Sequence, residues 1–540
     1  MEAVATVLIL LVAVVIGSAV SRVLPFNFPT PLVQVALGIV LGLIAPLRVE
    51  LEPELFLLVF LPPLLFLDGW RIPKDELFHD LSAVVGLALG LVLLTVAGAG
   101  LFIHWMIPAL PLSLSFALAA VISPTDPVAV SAIAARVPVP RRMMHILEGE
   151  SLLNDASGLV CLRFAVAAAL TGSFSFGSAI LTFSWLAVGG IAVGVGVTLA
   201  ISFAKGFVSD RFGEDTGSQI LTSLLMPFAA YLVADGIGCS GILAAVAAGV
   251  TMTYAEISRQ ALAATRIRRN SVWDLVQFAL NGIIFVLLGE QLPGIVAEAR
   301  RTVEFTGHGN PWWLVLYVFA IVAALAVLRF VWVWVSLQLT LFRQGKAASA
   351  RSPDWRIVTA MSVAGVRGTV TLAGVLTIPI SLADGAPFPG RELAVLLASG
   401  VIIASLVIAN AGLPVLLKGL AVPHDPSRTQ AEDDARVAAA RAAIQAIETA
   451  QRGEKDGGNA DAAARIVDSY QQRIGSILES ADKETAYSAR NSERHLYLIG
   501  LKAERDEIYH LARSRKIKSQ LTRKLVHEID LAEARYNNPV

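Results

Sequence analysis

Apolar and polar positions along this chain are segregated in long blocks, with runs of mostly apolar residues divided by short polar connections as far as about residue 418. A helix crosses the hydrocarbon of a bilayer with about 17–25 apolar residues. Thirteen runs approach that measure, at 3–20, 31–46, 52–68, 81–107, 111–135, 143–170, 178–204, 217–236, 240–254, 271–292, 312–340, 355–380 and 392–418. Several are short and closely joined, notably within 217–254, so a count of twelve also fits. Either count predicts an all-α, polytopic membrane protein. Beyond Pro423 the pattern changes to Ala, Glu, Arg, Lys and Gln, with a break at Gly453–Asn459. There the apolar residues recur at three-to-four spacing, as in Ile466, Tyr470, Ile474 and Leu478, which predicts amphipathic helices with one solvated face. The expected division is a transmembrane domain over 1–420 and a cytoplasmic helical tail over 421–540. Self-association, regulation and an incidental appendage all remain open for the tail.

Composition agrees with the pattern. Hydrophobic residues make up 55% and charged residues 16% of the 540, against roughly 25% charged in an average soluble domain. Glu2 and the lack of a basic leader make the first run a retained span rather than a signal peptide. Orientation follows from the cations, because Lys and Arg accumulate in cytoplasmic loops. With thirteen spans, one set of alternate loops holds sixteen (Arg22, Arg71, Lys74, Arg136, Arg141, Arg142, Lys205, Arg211, Arg259, Arg266, Arg268, Arg269, Arg343, Lys346, Arg351, Arg356) and the other four (Arg48, Arg300, Arg301, Arg391). The N-terminus is therefore expected outside and the C-terminus in the cytoplasm. A formal net charge of zero gives no basis for nucleic-acid binding. The two cysteines, Cys161 and Cys239, lie in separate apolar runs and predict no disulfide.

Against this apolar background the buried polar residues stand out. The sixth run contains Glu148-Gly-Glu-Ser-Leu-Leu-Asn-Asp-Ala-Ser-Gly158. At helical spacing Glu150 pairs with Asn154, and Ser151 with Asp155, on adjoining stripes of one flank. Ionisable groups at such depth cost roughly 2.5 kcal/mol or more and mark ion or proton paths. The fifth run is interrupted by Ser123-Pro-Thr-Asp-Pro127, where two prolines force the helix to unwind. The freed carbonyls, the Thr125 hydroxyl and the Asp126 carboxylate then form an all-oxygen surrounding suited to a hard monovalent cation. The twelfth run contains Ala364-Gly-Val-Arg-Gly-Thr-Val370, in which two glycines flank Arg367. If spans one to six and eight to thirteen are two halves, the two breaks occupy corresponding places, which points to a transporter's binding site.

Three further charges fall within or beside spans. Asp68 ends Leu61-Pro-Pro-Leu-Leu-Phe-Leu-Asp68 and reads either as a cavity carboxylate or as an interfacial one. Arg329, deep in the eleventh run, needs an acid on another helix, for which Glu150 is the candidate. Arg163 reads either as a second partner for the acids or as a side chain snorkelling to an interface.

With these residues in hand, the sequence from about 5 to 418 resembles the monovalent cation:proton antiporters, in the sodium/proton exchanger branch that includes the prokaryotic NhaP type. The resemblance rests on Leu-Pro-Pro-Leu-Leu-Phe before Asp68, Ser-Pro-Thr-Asp-Pro, Glu-Gly-Glu-Ser-Leu-Leu-Asn-Asp, Ser240-Gly-Ile-Leu-Ala244, Asn281-Gly-Ile-Ile-Phe285 and Gly365-Val-Arg-Gly368. It implies an NhaA-like inverted-repeat fold with two discontinuous crossing helices, a moving core, and a dimer-forming subdomain that makes a homodimer in a bacterial plasma membrane. It also implies that Asp155 takes a proton or a cation in turn, with Thr125, Asp126 and Ser151 supplying oxygens to Na+ and Asn154 bracing them. Glu150 with Arg329 resembles a structural ion pair, and Arg367 matches the arginine of the second break. Asp68 stands one residue later than the acid of some relatives. Asn154, where electrogenic relatives carry a second acid, implies electroneutral one-for-one exchange.

No cofactor is implied beyond the transported ions, H+ and Na+, and because side-chain oxygens of the same kind serve Li+ and K+, the sequence leaves those two open as alternatives. A cation channel without obligatory proton coupling is the rival reading. An enzyme is disfavoured: His527-Glu528 lacks the second histidine of a zinc site, and Gly236-Ile-Gly-Cys-Ser-Gly241 has no strand before it to make a dinucleotide loop.

Overall fold

The computed structural model describes residues 2–24, 28–44, 53–71, 81–126, 130, 141–171, 176–258, 263–305, 310–343, 355–379, 388–418, 426–453, 460–478, 483–514, 516 and 519–537. Pro127, most of the Gly453–Asn459 break, and the loop cations Arg48, Lys74, Arg136, Arg259, Lys346 and Arg351 lie outside them. Among the described residues every regular element is a helix. The chain divides into two compact units, Met1–Val422 and Pro423–Val540.

The first unit holds α1 (Glu2–Val23), α2 (Thr30–Ile44), α3 (Pro53–Arg71), α4 (Leu81–Met106), α5 (Leu112–Ile122), α6 (Arg141–Thr171), α7 (Phe176–Phe212), α8 (Thr216–Gly236), α9 (Gly241–Ser258), α10 (Ala263–Phe305), α11 (Trp312–Arg343), α12 (Trp355–Val363), α13 (Thr369–Leu376) and α14 (Arg391–Leu417). Seven of the described helices, α1, α4, α7, α8, α10, α11 and α14, contain stretches long and apolar enough to cross a membrane. Shorter apolar helices lie at Thr30–Ile44, Leu112–Ile122, Ser157–Leu170 and Gly241–Ala255.

The fifth apolar run ends as helix at Ile122, and residues 123–126 are not helical. The twelfth is split, with α12 closing at Val363 and α13 opening at Thr369. Proline accounts for the first break and the glycines on either side of Arg367 for the second.

Packing sorts these helices into two groups. In one, α4, α5 and α6 pack on one another, α11 lies on α4, and α12, α13 and α14 complete the cluster. In the other, α2 lies along α10, α1 crosses both, and α9 is enclosed by α3, α7 and α8. The α2–α10 seam depends on small residues: a Cβ at Gly38 would come 2.8 Å from Gly289 Cα and 2.9 Å from the Glu290 nitrogen. Such close backbone approach is how helices associate where lipid is as apolar as their side chains.

The second unit holds α15 (Pro426–Gly453), α16 (Ala460–Leu478), α17 (Lys483–Arg513) and α18 (Ser519–Asn537). On α16 the inward stripe includes Tyr470 and Ile474 as expected, with Val467 in place of Ile466. Ile466 is 48% exposed, Ile477 is buried, and Val467, Tyr470 and Ile474 are half-buried at the matching 3–4 spacing. Arg505 of α17 holds Asp530 at 3.1 Å and Glu533 on α18.

Filling the seam should separate the helices it joins. Gly38→Ile is expected to lower the melting temperature and monodisperse yield of the detergent-solubilised protein. Gly294→Ala, where an added Cβ meets nothing within 4 Å, should leave both unchanged, as size-exclusion profiles after heating will measure.

Candidate functional site

Between the two helix groups lies a cavity of about 410 Å3, counting the solvent at its open edge. One wall comes from the first group: Pro124, Thr125 and Asp126 of the first break, Ser151 and Asp155 of α6, and Gly368, Val370 and Thr371 at the second. The facing wall comes from α3, with Leu64, Leu65 and Asp68, and from α10, with Gln277 and Asn281. Thr125, Ser151 and Asp155 are buried, while Asp68 and Asp126 are half-buried. Five candidate side chains that are scattered over nearly ninety residues of sequence thus line one space.

The two stripes of α6 do different things. Ser151 and Asp155, four residues apart, face the cavity. Glu150 and Asn154, on the adjoining stripe, face the protein behind it. The Asn154 amide donates to Thr125 Oγ1 at 3.0 Å, tying α6 to the first break and fixing that hydroxyl. Glu150 Oε2 accepts from Arg329 Nη2 of α11 at 2.8 Å, and both side chains are at least 95% buried. Arg329 Nε also donates to the Met361 carbonyl, 3.0 Å away in the last turn of α12. One arginine thereby neutralises an acid and caps a helix that stops inside the protein.

Arg367 does the corresponding work for the other half-helix. Its Nε donates at 2.6 Å to the Ile122 carbonyl, the last residue of α5, and its Nη1 to the Gly365 carbonyl. Its backbone N–H is taken by Ser405 Oγ of α14 at 3.1 Å. The two breaks also touch directly, since the Asp126 N–H donates to the Val366 carbonyl at 2.8 Å. Gly368 is required at this crossing, because a Cβ there would collide with the Asp126 carboxylate. Backbone groups freed by unwinding are therefore paired across the crossing, while the side chains of Thr125 and Asp126 stay turned to the cavity.

The sequence reasoning missed Gln277 and gave Thr371 and Asn281 no site role. Thr371 Oγ1 and Asn154 Oδ1 are buried without a hydrogen-bond partner among the described residues, which adds two oxygens at or beside the site. The four-residue spacing of Gln277 and Asn281 on α10 was the available signal, but amides in an apolar run also serve as packing bridges. Arg163 is exposed on α6 and stands outside the cavity, which leaves the snorkelling reading. Arg269, counted among the loop cations, is 1% exposed, with its guanidinium 5.1 Å from the Trp70 ring centroid. Cys161 and Cys239 are free thiols.

Comparison with known proteins places these features in context. A family described as sodium/hydrogen exchanger, transmembrane, matches residues 7–419. The Escherichia coli (strain K12) protein named uncharacterized Na+/H+ exchanger YjcE is 42% identical over 542 residues, covering 99% of this chain and 99% of that one. A Bacillus subtilis (strain 168) protein named sodium, potassium, lithium and rubidium/H+ antiporter is 37% identical over 538 residues, covering 99% of this chain and 78% of that one. In fold, the sodium proton antiporter MjNhaP1 from Methanocaldococcus jannaschii is similar with a TM-score of 0.58 at 19% identity, over 78% of this chain and 99% of that one.

Removing one member of the buried pair should be costly. Arg329→Ala leaves the Glu150 carboxylate unpaired and α12 uncapped, a loss of roughly 3–5 kcal/mol. The expected result is a sharp fall in yield and thermal midpoint, with the double variant Glu150→Leu/Arg329→Met less affected than Arg329→Ala in the same melting assay.

Proposed function

The chain belongs to the sodium/hydrogen exchanger family, and from that premise we propose that it exchanges Na+, with Li+ and K+ as further substrates, for H+ by way of the Asp155 carboxylate. The observation that carries this reading is a single cavity between two helix groups in which Asp155 is joined by Thr125, Asp126, Ser151 and Asp68. Their oxygens suit a hard cation, and Asp155 is the most deeply buried of the three carboxylates. The name of the B. subtilis relative, with its four alkali cations, supports the wider substrate range.

Competition at Asp155 gives the coupling. A proton or a cation each neutralises the carboxylate, and an empty site carries a bare negative charge that is costly to move through a low-dielectric barrier. Neutralised states cross and empty ones do not, so each inward ion is matched by an outward one. One titrating carboxylate, with the neutral Asn154 beside it, makes that exchange one-for-one and electroneutral. The group containing α4–α6 and α11–α14 is the part that moves, elevator-like, against the group containing α1–α3 and α7–α10. The same reading gives thirteen spans in inverted repeats, an outside N-terminus, a cytoplasmic tail over 421–540 and a homodimer in the bacterial plasma membrane.

Asp155→Asn keeps the shape of the site and loses the exchangeable proton. It should abolish sodium-dependent recovery of the pH gradient in everted vesicles, and recovery at near wild-type rate would refute the assignment. Because proton and cation compete for one carboxylate, the apparent KM for sodium should rise as pH falls through the titration of the site, while the maximal rate changes less. A channel would instead carry sodium without moving protons when the membrane potential is clamped at zero.

A further inference from the structure

On α10 the residues Asp274, Gln277 and Asn281 follow one another at spacings of three and four, so they form one stripe of the helix. Its inner members, Gln277 and Asn281, line the cation cavity, while the Asp274 side chain is 64% exposed. On α3 the same geometry recurs, with Asp68 in the cavity and Arg71, three residues on, 42% exposed. Both stripes therefore run from the cavity wall to its open edge. At that edge Arg71 is ion-paired with Asp274 and donates through Nη1 to Gln277 Oε1 at 2.8 Å.

An exposed ion pair at a protein surface is usually poorly ordered. Here each member is the immediate neighbour of an anchored tryptophan. Trp70 and Trp273 lie 6.3 Å apart between ring centroids. Trp273 is fully buried and donates to Ser223 Oγ at 3.3 Å, and the Trp70 carbonyl accepts from Thr253 Oγ1 at 3.0 Å. The C-terminal end of α3, which carries Arg71, and the stretch of α10 that carries Asp274 are thus held against each other.

We propose that the Arg71–Asp274 pair is a positioning device for the cation pathway: Arg71 holds the Gln277 amide oxygen at the cavity edge, and Asp274 cancels the positive charge that this places beside the route of an incoming cation. Neither charged residue lines the cavity, so the pair acts through Gln277 and through the local field. Without Arg71, the Gln277 oxygen becomes available to the cation and a repulsive charge is gone. Without Asp274, Arg71 stands uncompensated beside the cation's route, where a charge acts through a lower effective dielectric than in bulk water.

The inference rests on the proposed cation site at Asp155, and the experiment separates the two. Sodium-dependent proton movement is measured in everted vesicles over a range of sodium chloride concentrations at constant ionic strength, for Arg71→Gln, Asp274→Asn, Asp274→Glu, the double variant Arg71→Gln/Asp274→Asn, and Asp155→Asn as reference. The apparent KM for sodium should fall about two- to fivefold in Arg71→Gln and rise about two- to fivefold in Asp274→Asn, the range for partly exposed pairs. Maximal rates should hold, Asp274→Glu should behave as wild type, and the double variant should lie between the single ones. Singles that both leave KM unchanged, or both shift it the same way, would overturn the positioning role, even if Asp155→Asn is inactive. Transport by Asp155→Asn would instead overturn the site on which the inference rests.

Discussion

The structure depends on one constraint: a polypeptide that unwinds inside a bilayer must find partners for the backbone groups it frees, and at this site each break supplies them for the other. The Asp126 N–H meets the Val366 carbonyl, and the Arg367 guanidinium closes the C-terminus of α5 at Ile122. Neither break would be tolerated alone at that depth, because each unsatisfied group costs several kcal/mol in hydrocarbon. Together they leave a pocket of side-chain oxygens with no helical backbone across it.

Charge within this apolar unit is divided according to what faces it. Glu150 and Arg329 are turned into protein, where the arginine is shared between a carboxylate and the end of α12. Arg367 is satisfied chiefly by carbonyls, so the partial negative ends of two interrupted helices are each met by a guanidinium. Asp155, Asp126 and Asp68 are turned instead toward the cavity. Of the six α6 residues from Glu150 to Asp155, Glu150 and Asn154 are therefore spent on rigidity, while Ser151 and Asp155 face the cavity. A fixed frame behind the carboxylates holds this wall of the cavity in place.

The opposing wall is built differently. The α2–α10 and α3–α9 seams close through glycine at Gly38, Gly69, Gly249 and Gly289, where helices approach until backbone meets backbone. The stacking of Phe66 on Trp273, with ring centroids 5.3 Å apart, then sets how α3 meets α10. One group is thus pinned by buried charge and the other by close backbone packing, and the cavity lies where these two kinds of cohesion meet.

Periodicity and composition by themselves determined the class of fold, the helical runs, the two breaks and the polar stripe on α6, because each is a local consequence of chain chemistry. A long apolar run must be helical in hydrocarbon, and Ser-Pro-Thr-Asp-Pro or Gly-Val-Arg-Gly weakens that helix locally. Sequence also left two readings for Asp68, placed Arg269 among solvent-facing cations, put Ile466 rather than Val467 on the inward stripe of α16 and did not single out Gln277. Those were decided by the tertiary structure. Whether Asp68 and Gln277 face a cavity depends on how α3 and α10 stand against lining residues more than fifty positions away in the chain, and whether Arg269 is buried depends on Trp70, nearly two hundred residues away. A residue's type and spacing set which face of its own helix it occupies, but only the packing of other helices sets what that face meets.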